Sequence, residues 1–169
     1  VIRADADDDI AGHSFVFTIG RGNDVQVAAI DALAGHLVGR EIEPLLDDMG
    51  GTFRDIIGDS QLRWLGPEKG VMHMAIGAVI NALWDIKAKR AGLPLWQLLS
   101  RMTPEEIVDL VDFRYLTNAL TREEALEILR AGVDGREQRE TELMSQITQT
   151  EAELRAAMDG LRDARTEAE

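Results

Sequence analysis

The sequence predicts an α+β fold that is mostly helical, with a small antiparallel sheet packed on a helical bundle and a charged C-terminal helix. Three observations lead to this prediction. Apolar residues recur every three or four positions over residues 71–86 and 25–37, which is typical of helices with one buried face. Residues 14–19 alternate large and smaller side chains, as in a strand. After Gly135 the chain becomes rich in Glu, Arg, Gln and Thr.

The composition is typical of a folded protein and shows a strong excess of acidic residues. The chain has 169 residues, which suits one domain, and 45% of them are hydrophobic. With 31 acidic and 18 basic residues the net charge is -13, and no basic run is present, so nucleic acid and anionic membranes are not expected partners. The absence of cysteine excludes disulfides and thiolate catalysis.

The sequence also indicates where in the cell the protein is expected. No apolar run reaches membrane-spanning length, and the first 12 residues carry no export signal. A cytoplasmic location is therefore the default expectation. Because residue 1 is valine, we expect the natural start to lie further upstream.

The N-terminal region predicts a hairpin, a strand and a helix. Residues 1–2 are interpreted as the stub of a strand, residues 4–13 as a turn, and residues 14–19 as a strand. A helix is expected over residues 25–38. Asp24 is its predicted N-cap, because a carboxylate accepts hydrogen bonds from the free amides of a first helical turn.

The central region predicts one long helix that follows two short ones. The short helices are expected over residues 42–49 and 51–57. The long helix is expected to begin near Pro67, since proline suits the first helical position. It ends before Gly92 and Pro94, which stop a helix.

Two capping boxes and an alternating segment follow. Each box is expected to open a short helix, because a threonine and a glutamate three residues apart satisfy each other's backbone amides. Residues 109–117 lie between the boxes and are interpreted as a strand. The boxes are Thr103 with Glu106 and Thr121 with Glu124.

The tail shows a heptad seam, in which apolar residues recur at spacings of four and three. A threonine and two alanines weaken this seam. Its members are Leu143, Ile147, Thr150, Leu154, Ala157, Leu161 and Ala164.

Three segments carry a resemblance to a known family. Residues 75–99 read AIGAVINALWDIKAKRAGLPLWQLL, a helix followed by G-x-P and W-x-L-L. Together with QLRWLGPEKG at residues 61–70 and VDFRYLTNALT at residues 111–121, this run resembles the N-terminal capping domain of the enolase superfamily. The sequences of these segments are most similar to those of the L-fuconate dehydratase-like sugar-acid dehydratases, and the resemblance covers roughly residues 12–139.

The resemblance implies a capping domain over residues 1–135, lacking its first strand and loop and running into the start of a barrel, with a separate tail over residues 136–169. Intact relatives bind Mg²⁺ through barrel carboxylates and convert a small sugar acid, through an enediolate, into a 2-keto-3-deoxy acid. No catalytic residue and no magnesium ligand of that set can be placed on this sequence. The chain alone is therefore expected to be inactive.

Gly20, Arg21 and Gly22 are the candidate substrate-binding residues. They precede a predicted helix, whose free amides favour anions. A dinucleotide fingerprint is excluded because Val25 stands where its third glycine belongs, and a flexible turn is the simpler interpretation. In relatives the corresponding loop closes over the active site, which implies that Arg21 anchors a sugar-acid carboxylate or hydroxyl.

The pair Lys87 and Lys89 resembles the K-x-K base of these dehydratases, but that base lies on a strand. On a helix two such residues are turned by about 200 degrees, so they are expected to close the helix instead. Other polar and aromatic candidates are interpreted as structural or solvated. These are Asp5, Asp7, Asp8 and Asp9; His13, His36 and His73; Arg63, Trp64 and Leu65; and Arg114 and Tyr115. Of these, His73 is expected on a helix face, His13 and His36 at the surface or an edge, and Trp64 and Leu65 in the interior of the domain.

Two functions stay open on the sequence. The chain is either the capping fragment of an L-fuconate dehydratase-like enzyme that uses magnesium, or a non-catalytic interaction module. In the second case the seam from Leu143 to Ala164 pairs two copies into a homo-oligomer.

Overall fold

The computed structural model describes residues 1–4, 10–66, 69–116 and 118–167, with side chains up to residue 155. It confirms the predicted mostly helical α+β class. It divides into two compact units, Val1–Ala119 and Leu120–Glu169. In chain order the elements are β1 (Ile2–Arg3), β2 (Ala11–Gly12), α1 (Asn23–Ala32), α2 (Ile42–Asp47), α3 (Met49–Ile57), α4 (Gly70–Arg90), α5 (Leu95–Ser100), α6 (Pro104–Leu110) and α7 (Arg122–Glu167).

Helix α4 is the centre of the first unit. Ile76 and Val79 pack with α1 and α3, and Leu83 and Ile86 pack with α2. The periodic apolar residues that predicted this helix therefore form the face that its neighbours cover. Its predicted start at Pro67 lies outside the described residues. None of the described helices is long and apolar enough to cross a membrane.

The hairpin of β1 and β2 lies against α4. Its strands are antiparallel, with Ile2 opposite Gly12 and Arg3 opposite Ala11. Gly12 approaches the helix so closely that a Cβ atom built on it would lie 2.0 Å from the carbonyl oxygen of Ala82. Of the predicted stub at residues 1–2, Ile2 lies in β1 and Val1 precedes the strand. The aspartates at positions 5 and 7–9 lie outside the described residues.

The predicted strand over residues 14–19 is wrong, because this segment has no ladder hydrogen bonds. Its side chains alternate between exposed and half-buried, as the sequence pattern indicated. The register of the hairpin, however, places Val1 opposite His13. No residue of β1 therefore lies opposite residues 14–19, and alternation without a partner strand gives an extended segment rather than a strand.

The helix predicted over residues 25–38 ends earlier, at Ala32. A separate 3₁₀ turn over Ala34–His36 follows it. Gly35 in that turn lowers helix propensity. The predicted N-cap is also wrong: Gly22 is the N-cap, and Asp24 lies inside the first turn without a capping hydrogen bond. A carboxylate there still interacts favourably with the helix dipole.

Helices α2 and α3 confirm the two predicted short helices to within two residues at each end. Asp48 separates them, and its Oδ1 accepts a hydrogen bond from the amide of Gly51 at 2.7 Å. This side-chain cap gives α3 its start directly after α2. The Thr103 capping box is confirmed at the start of α6, with both reciprocal hydrogen bonds present.

The strand predicted over residues 109–117 is wrong. Helix α6 runs to Leu110, and Phe113–Tyr115 form a 3₁₀ turn. Asp112 caps that turn, since its Oδ1 accepts from the amide of Arg114 at 3.1 Å. Such a local side-chain bond offers the backbone an alternative to a sheet ladder.

The second unit consists mainly of α7, which has 46 residues. Thr121 and Glu124 form the predicted capping box at its start, but the helix that they open is long rather than short. The proposed boundary between residues 135 and 136 falls within this helix and stays a prediction. The predicted charged C-terminal helix is present.

Candidate functional site

Gly20, Arg21 and Gly22 form an exposed turn that leads into α1. The φ angles of the two glycines are +124° and +89°, a region that residues with a Cβ atom rarely adopt. The glycines therefore hold the backbone on either side of Arg21. This arginine has no hydrogen-bond or ion-pair partner among the described residues.

The base of this turn is fixed by polar side chains that the sequence analysis did not single out. Oγ1 of Thr18 donates to Oδ1 of Asn23 at 2.5 Å, which closes the loop across its ends. Gln26 is 5% exposed, and its side-chain amide donates to the carbonyl of Val71 at 3.1 Å, which attaches α1 to α4. The only sequence signal for this clasp was polar residues on both sides of the Gly-Arg-Gly run.

A cavity of about 330 Å³ lies beside the clasp. Its walls include Phe15, Val27, Ile30 and Val79, and none of the described residues that line it has an acidic or basic side chain. General acid–base chemistry needs a titratable group within hydrogen-bond reach of the substrate. Arg21 is not among the described residues that line this cavity, and the residues that do line it supply no side-chain group for proton transfer.

The two lysines of the K-x-K pair have structural roles, as predicted. Nζ of Lys87 donates to the carbonyl of Leu46 at 2.6 Å, whereas Nζ of Lys89 donates to the carbonyl of Ala11 at 2.7 Å and to Asp85 at 2.5 Å. They therefore attach different parts of the chain to α4 and do not converge. Desolvation raises the pKa of Asp85, but hydrogen bonds from Lys89 and the His13 amide outweigh it and hold that pKa below 3.8.

The histidines do not form a metal site. His36 was expected at the surface or an edge; it is half-buried, and its Nε2 lies 2.8 Å from Oδ2 of Asp59. His73 lies on α4 as predicted, and Nδ1 of His13 is 3.1 Å from Nζ of Lys89. No three histidine, aspartate or glutamate side chains in the described part of the chain are grouped closely enough to hold a metal ion.

The polar and aromatic candidates divide into two outcomes. Leu65 packs against the core, as predicted. Trp64 does not lie in the interior of the domain, because its side chain is 80% exposed. Arg114 pairs structurally, as predicted, through Nε hydrogen bonds to Asp112 of 3.0 and 2.8 Å. Tyr115 is exposed beside it, with its ring centroid 5.6 Å from the guanidinium carbon of Arg114.

These features define a capping type of α+β domain, in which a small hairpin and an exposed loop lie on a helical layer. Residues 1–100 match the family described as mandelate racemase / muconate lactonizing enzyme, N-terminal domain. The chain belongs to this family and, through it, to the enolase superfamily.

Similar proteins support that placement. Mitochondrial enolase superfamily member 1 of Homo sapiens is 47% identical over 146 residues, which are 86% of this chain and 33% of the relative. L-galactonate dehydratase of Hypocrea jecorina is 51% identical over 129 residues, which are 76% of this chain and 29% of the relative. The crystal structure of the human protein superposes with a TM-score of 0.74 and 47% identity, covering 82% of this chain and 31% of that one. The chain thus spans about a third of the length of the curated relatives it matches.

Enolase-superfamily members generally use Mg²⁺, and a magnesium site needs several oxygen ligands around one ion. The described residues do not fit that requirement, since they contain no group of three possible ligands. The candidate site in this chain is therefore still the turn of Gly20, Arg21 and Gly22, and its role in substrate binding stays a prediction.

Proposed function

We propose that this chain is the capping part of an L-fuconate dehydratase-like sugar-acid dehydratase, and that Gly20, Arg21 and Gly22 select the substrate. One observation carries the proposal. An exposed arginine without a partner among the described residues is held at the start of α1 by two left-handed glycines. A guanidinium donates paired hydrogen bonds to a carboxylate, and the first amides of α1 add positive potential. The L-galactonate dehydratase relative supports the substrate class.

The reaction proposed for the whole enzyme is loss of water from a sugar acid, through an enediolate, to give a 2-keto-3-deoxy acid. In this proposal, groups outside the described residues perform the proton transfers. Arg21 binds the carboxylate or a hydroxyl of the sugar acid, and the Thr18–Asn23 hydrogen bond keeps the loop in the binding conformation. The carboxylate of Asp24 lies in the same first turn of α1 and reduces the positive potential that the amides contribute, so Arg21 supplies the main attraction for an anion in this proposal.

A chimeric enzyme tests the role of Arg21. Residues 1–100 of this chain replace the matching residues of the Hypocrea jecorina enzyme, and formation of 2-keto acid from L-galactonate and L-fuconate is measured. We expect Arg21→Ala to raise KM by roughly 10- to 100-fold with a smaller change in kcat, since a hydrogen bond to a charged group contributes about 1.5–3 kcal/mol. Arg63→Ala is the matched control, because Arg63 is an exposed arginine that lines a different cavity. Equal KM values for the two variants would remove Arg21 from the proposed site.

A second assay tests the statement that this chain contributes recognition only. The purified chain is incubated with Mg²⁺ and with L-fuconate or L-galactonate, and 2-keto acid is measured. We expect none to form. Turnover that survives further purification would contradict the proposal.

A second candidate function is pairing of two copies through α7. Leu143, Ile147 and Leu154 lie on one face of the helix and are 58%, 51% and 60% exposed. Apolar residues at this spacing are stabilised when a second helix covers them. Sedimentation equilibrium at several concentrations is expected to show a dimer that Leu154→Asp combined with Leu161→Asp abolishes. A monomer at every concentration would exclude this function.

A further inference from the structure

We infer that a cavity at the end of α3, bordered by the turn before α4 and the turn after α6, binds a phosphate monoester, a doubly charged anion with a small organic group. The volume of this cavity is about 360 Å³. The described residues that line it are Ile57, Gly58, Arg63, Gly66, Lys69, Arg114 and Tyr115. None of them belongs to the turn of Gly20, Arg21 and Gly22, so the inference is independent of the proposed substrate site.

The charge of this cavity is opposite to that of the whole chain. The chain has 31 acidic and 18 basic residues and a net charge of -13. Three residues that line the cavity are basic, and none of its described lining residues has a carboxylate. Positive charges around one cavity repel each other, and a bound anion relieves that repulsion. The cavity therefore favours an anionic ligand.

Arg63 and Lys69 supply charge that no described side chain neutralises. Both are exposed, and neither has an ion-pair partner among the described residues. Arg63 begins a 3₁₀ turn and Lys69 is the N-cap of α4.

Gly66 lies between these two cations and brings them to the same cavity. Its φ angle is +76°, and a Cβ atom built on it would lie 2.9 Å from the carbonyl oxygen of Lys69. The amide of Lys69 also donates to the carbonyl of Gly66 at 3.2 Å. A glycine therefore allows the tight turn that places Arg63 and Lys69 on one cavity wall.

The third cation is held in place from outside the cavity. Nε of Arg114 donates to both carboxylate oxygens of Asp112, at 3.0 and 2.8 Å. Asp112 is not among the described residues that line the cavity. This pair fixes the guanidinium at the cavity wall before a ligand arrives, which lowers the entropy cost of binding there.

The set of cations favours a phosphate group over a carboxylate. A phosphate monoester carries a charge of about -1.5 to -2 at pH 7 and has three strong acceptor oxygens. A carboxylate carries a single charge. Arginine donates paired hydrogen bonds to phosphate oxygens, and lysine attracts them as a point charge. Two arginines and a lysine around one cavity are therefore matched to a doubly charged group.

The rest of the lining suits the organic part of an ester. The ring of Tyr115 is 71% exposed and its centroid lies 5.6 Å from the guanidinium carbon of Arg114, so an apolar or aromatic group can pack on it. Pockets for small molecules have volumes of about 300–1,000 Å³, a range that includes this cavity. A long polyanion fits less well, because it would extend beyond the cations over an acidic chain.

An NMR titration of the full, isotope-labelled chain tests the site. The probe is phenyl phosphate at about pH 8, where the ester is fully charged, and at constant ionic strength. We expect the backbone amide signals of Gly58 and Gly66 to move saturably, while those of Gly20 and Gly22 stay in place. Movement of Gly20 and Gly22 alone would assign anion binding to the Arg21 turn. That result, or the absence of saturable movement, would overturn the inference.

Two charge-removing variants test the cations. Arg63→Gln and Lys69→Gln are each expected to raise the dissociation constant of phenyl phosphate about 10-fold or more, because each removes a charged donor. Arg101→Gln is the matched control, since Arg101 is an exposed arginine at the end of α5. Unchanged amide spectra away from the cavity show that each variant is folded. Dissociation constants that are equal in all three variants would overturn the assignment.

The chimeric dehydratase is assayed without phosphate. The cavity then holds no phosphate ligand, and Arg63→Ala keeps its place as the control for Arg21→Ala.

Two comparison ligands test the class of anion. Benzoate keeps the ring but has a singly charged carboxylate, and inorganic phosphate lacks the ring. We expect both to bind several-fold more weakly than phenyl phosphate, and Tyr115→Ala to remove the difference between the two phosphates. Benzoate that binds as tightly as phenyl phosphate would overturn the preference for a doubly charged group. Inorganic phosphate that binds as tightly would overturn the ester as the occupant.

Discussion

Nε2 of His36 lies 2.8 Å from Oδ2 of Asp59, and this contact joins the 3₁₀ turn after α1 to the turn after α3. Both side chains are about one-fifth exposed. The hydrogen bond from His36, assisted by one from the amide of Gln61, holds the pKa of Asp59 below its ordinary value of 3.8. The folded state therefore favours the carboxylate form of Asp59.

This relationship predicts a dependence of stability on acidity. Because the folded-state pKa of Asp59 lies below the unfolded one, its contribution is present above the unfolded pKa and is lost as the pH falls through the folded pKa. We expect the free energy of unfolding, measured with urea, to decrease below about pH 4, and Asp59→Asn to remove part of that decrease. Asp55→Asn, an exposed aspartate on α3, is the control. The same pH profile in both variants would show that the Asp59 contact contributes nothing.

A second prediction concerns the close approach of Gly12 to α4. A Cβ atom there would lie 2.0 Å from the Ala82 carbonyl oxygen and 2.7 Å from Cγ1 of Ile86, so the hairpin would have to move away from the helix. We expect Gly12→Ala to lower the free energy of unfolding by about 3 kcal/mol, measured by chemical denaturation.

Gly77 provides the matched control on the same helix. A Cβ atom at Gly77 meets no atom within 4 Å, and glycine inside a helix is unfavourable relative to alanine. Gly77→Ala is expected to stabilise the protein by about 0.5–1 kcal/mol. Destabilisation of similar size in both variants would mean that the effect of Gly12→Ala is not steric.

The fold was predictable where local pattern and packing agree. Helix α4 follows from its apolar spacing, because the residues that define the pattern are those that α1, α2 and α3 cover. Residues 14–19 show the opposite case. Their alternation is visible in the sequence, but strand formation depends on a partner, and the hairpin register leaves none beside them.

The candidate site was predictable only at its glycines. Gly20 and Gly22 marked a turn before a helix, and the structure has that turn. The Thr18–Asn23 clasp and the His36–Asp59 contact depend on where the folded chain brings side chains together, and single-sequence patterns carry no such information. In the second pair the residues are 23 positions apart.

A third prediction addresses the attachment of the hairpin to α4. Nζ of Lys89 donates to the Ala11 carbonyl and to Asp85, and Asp85 also accepts from the His13 amide at 2.8 Å. Lys89→Met keeps the alkyl chain and removes the donor. We expect a loss of about 1 kcal/mol in the free energy of unfolding, since Lys89 is partly exposed. Lys69→Met, at an exposed lysine, is expected to change it by less than about 0.5 kcal/mol. If both lysines gave the same change, the Lys89 hydrogen bonds would be energetically unimportant.

A fourth prediction concerns the capping box of α6. The side chain of Thr103 accepts from the amide of Glu106 at 3.2 Å, and that of Glu106 accepts from the amide of Thr103 at 2.7 Å. Thr103→Ala is expected to lower the free energy of unfolding by about 1 kcal/mol. Ser100→Ala removes a hydroxyl at the end of α5 and is expected to change it by less than about 0.5 kcal/mol. Equal effects would argue against the box.

A fifth prediction links the backbone of the loop to its proposed role. Gly22 is the N-cap of α1 with φ +89° and ψ 15°, a left-handed conformation. A Cβ atom there meets no neighbour within 4 Å, so any penalty of substitution is conformational rather than steric. We expect Gly22→Ala to destabilise the protein by about 1–2 kcal/mol and Gly22→Asn by less, because asparagine adopts this conformation more readily. Thermal or urea unfolding measures both.

Gly35→Ala is the control, since Gly35 has neither a positive φ nor a neighbour near its Cβ position. In the chimeric dehydratase the same Gly22 variants test positioning of Arg21. If the left-handed turn positions the guanidinium, KM rises with Gly22→Ala and is partly restored with Gly22→Asn, while Gly35→Ala leaves it unchanged. Loss of stability without any change in KM would assign Gly22 to the start of α1 alone and separate the turn from substrate recognition.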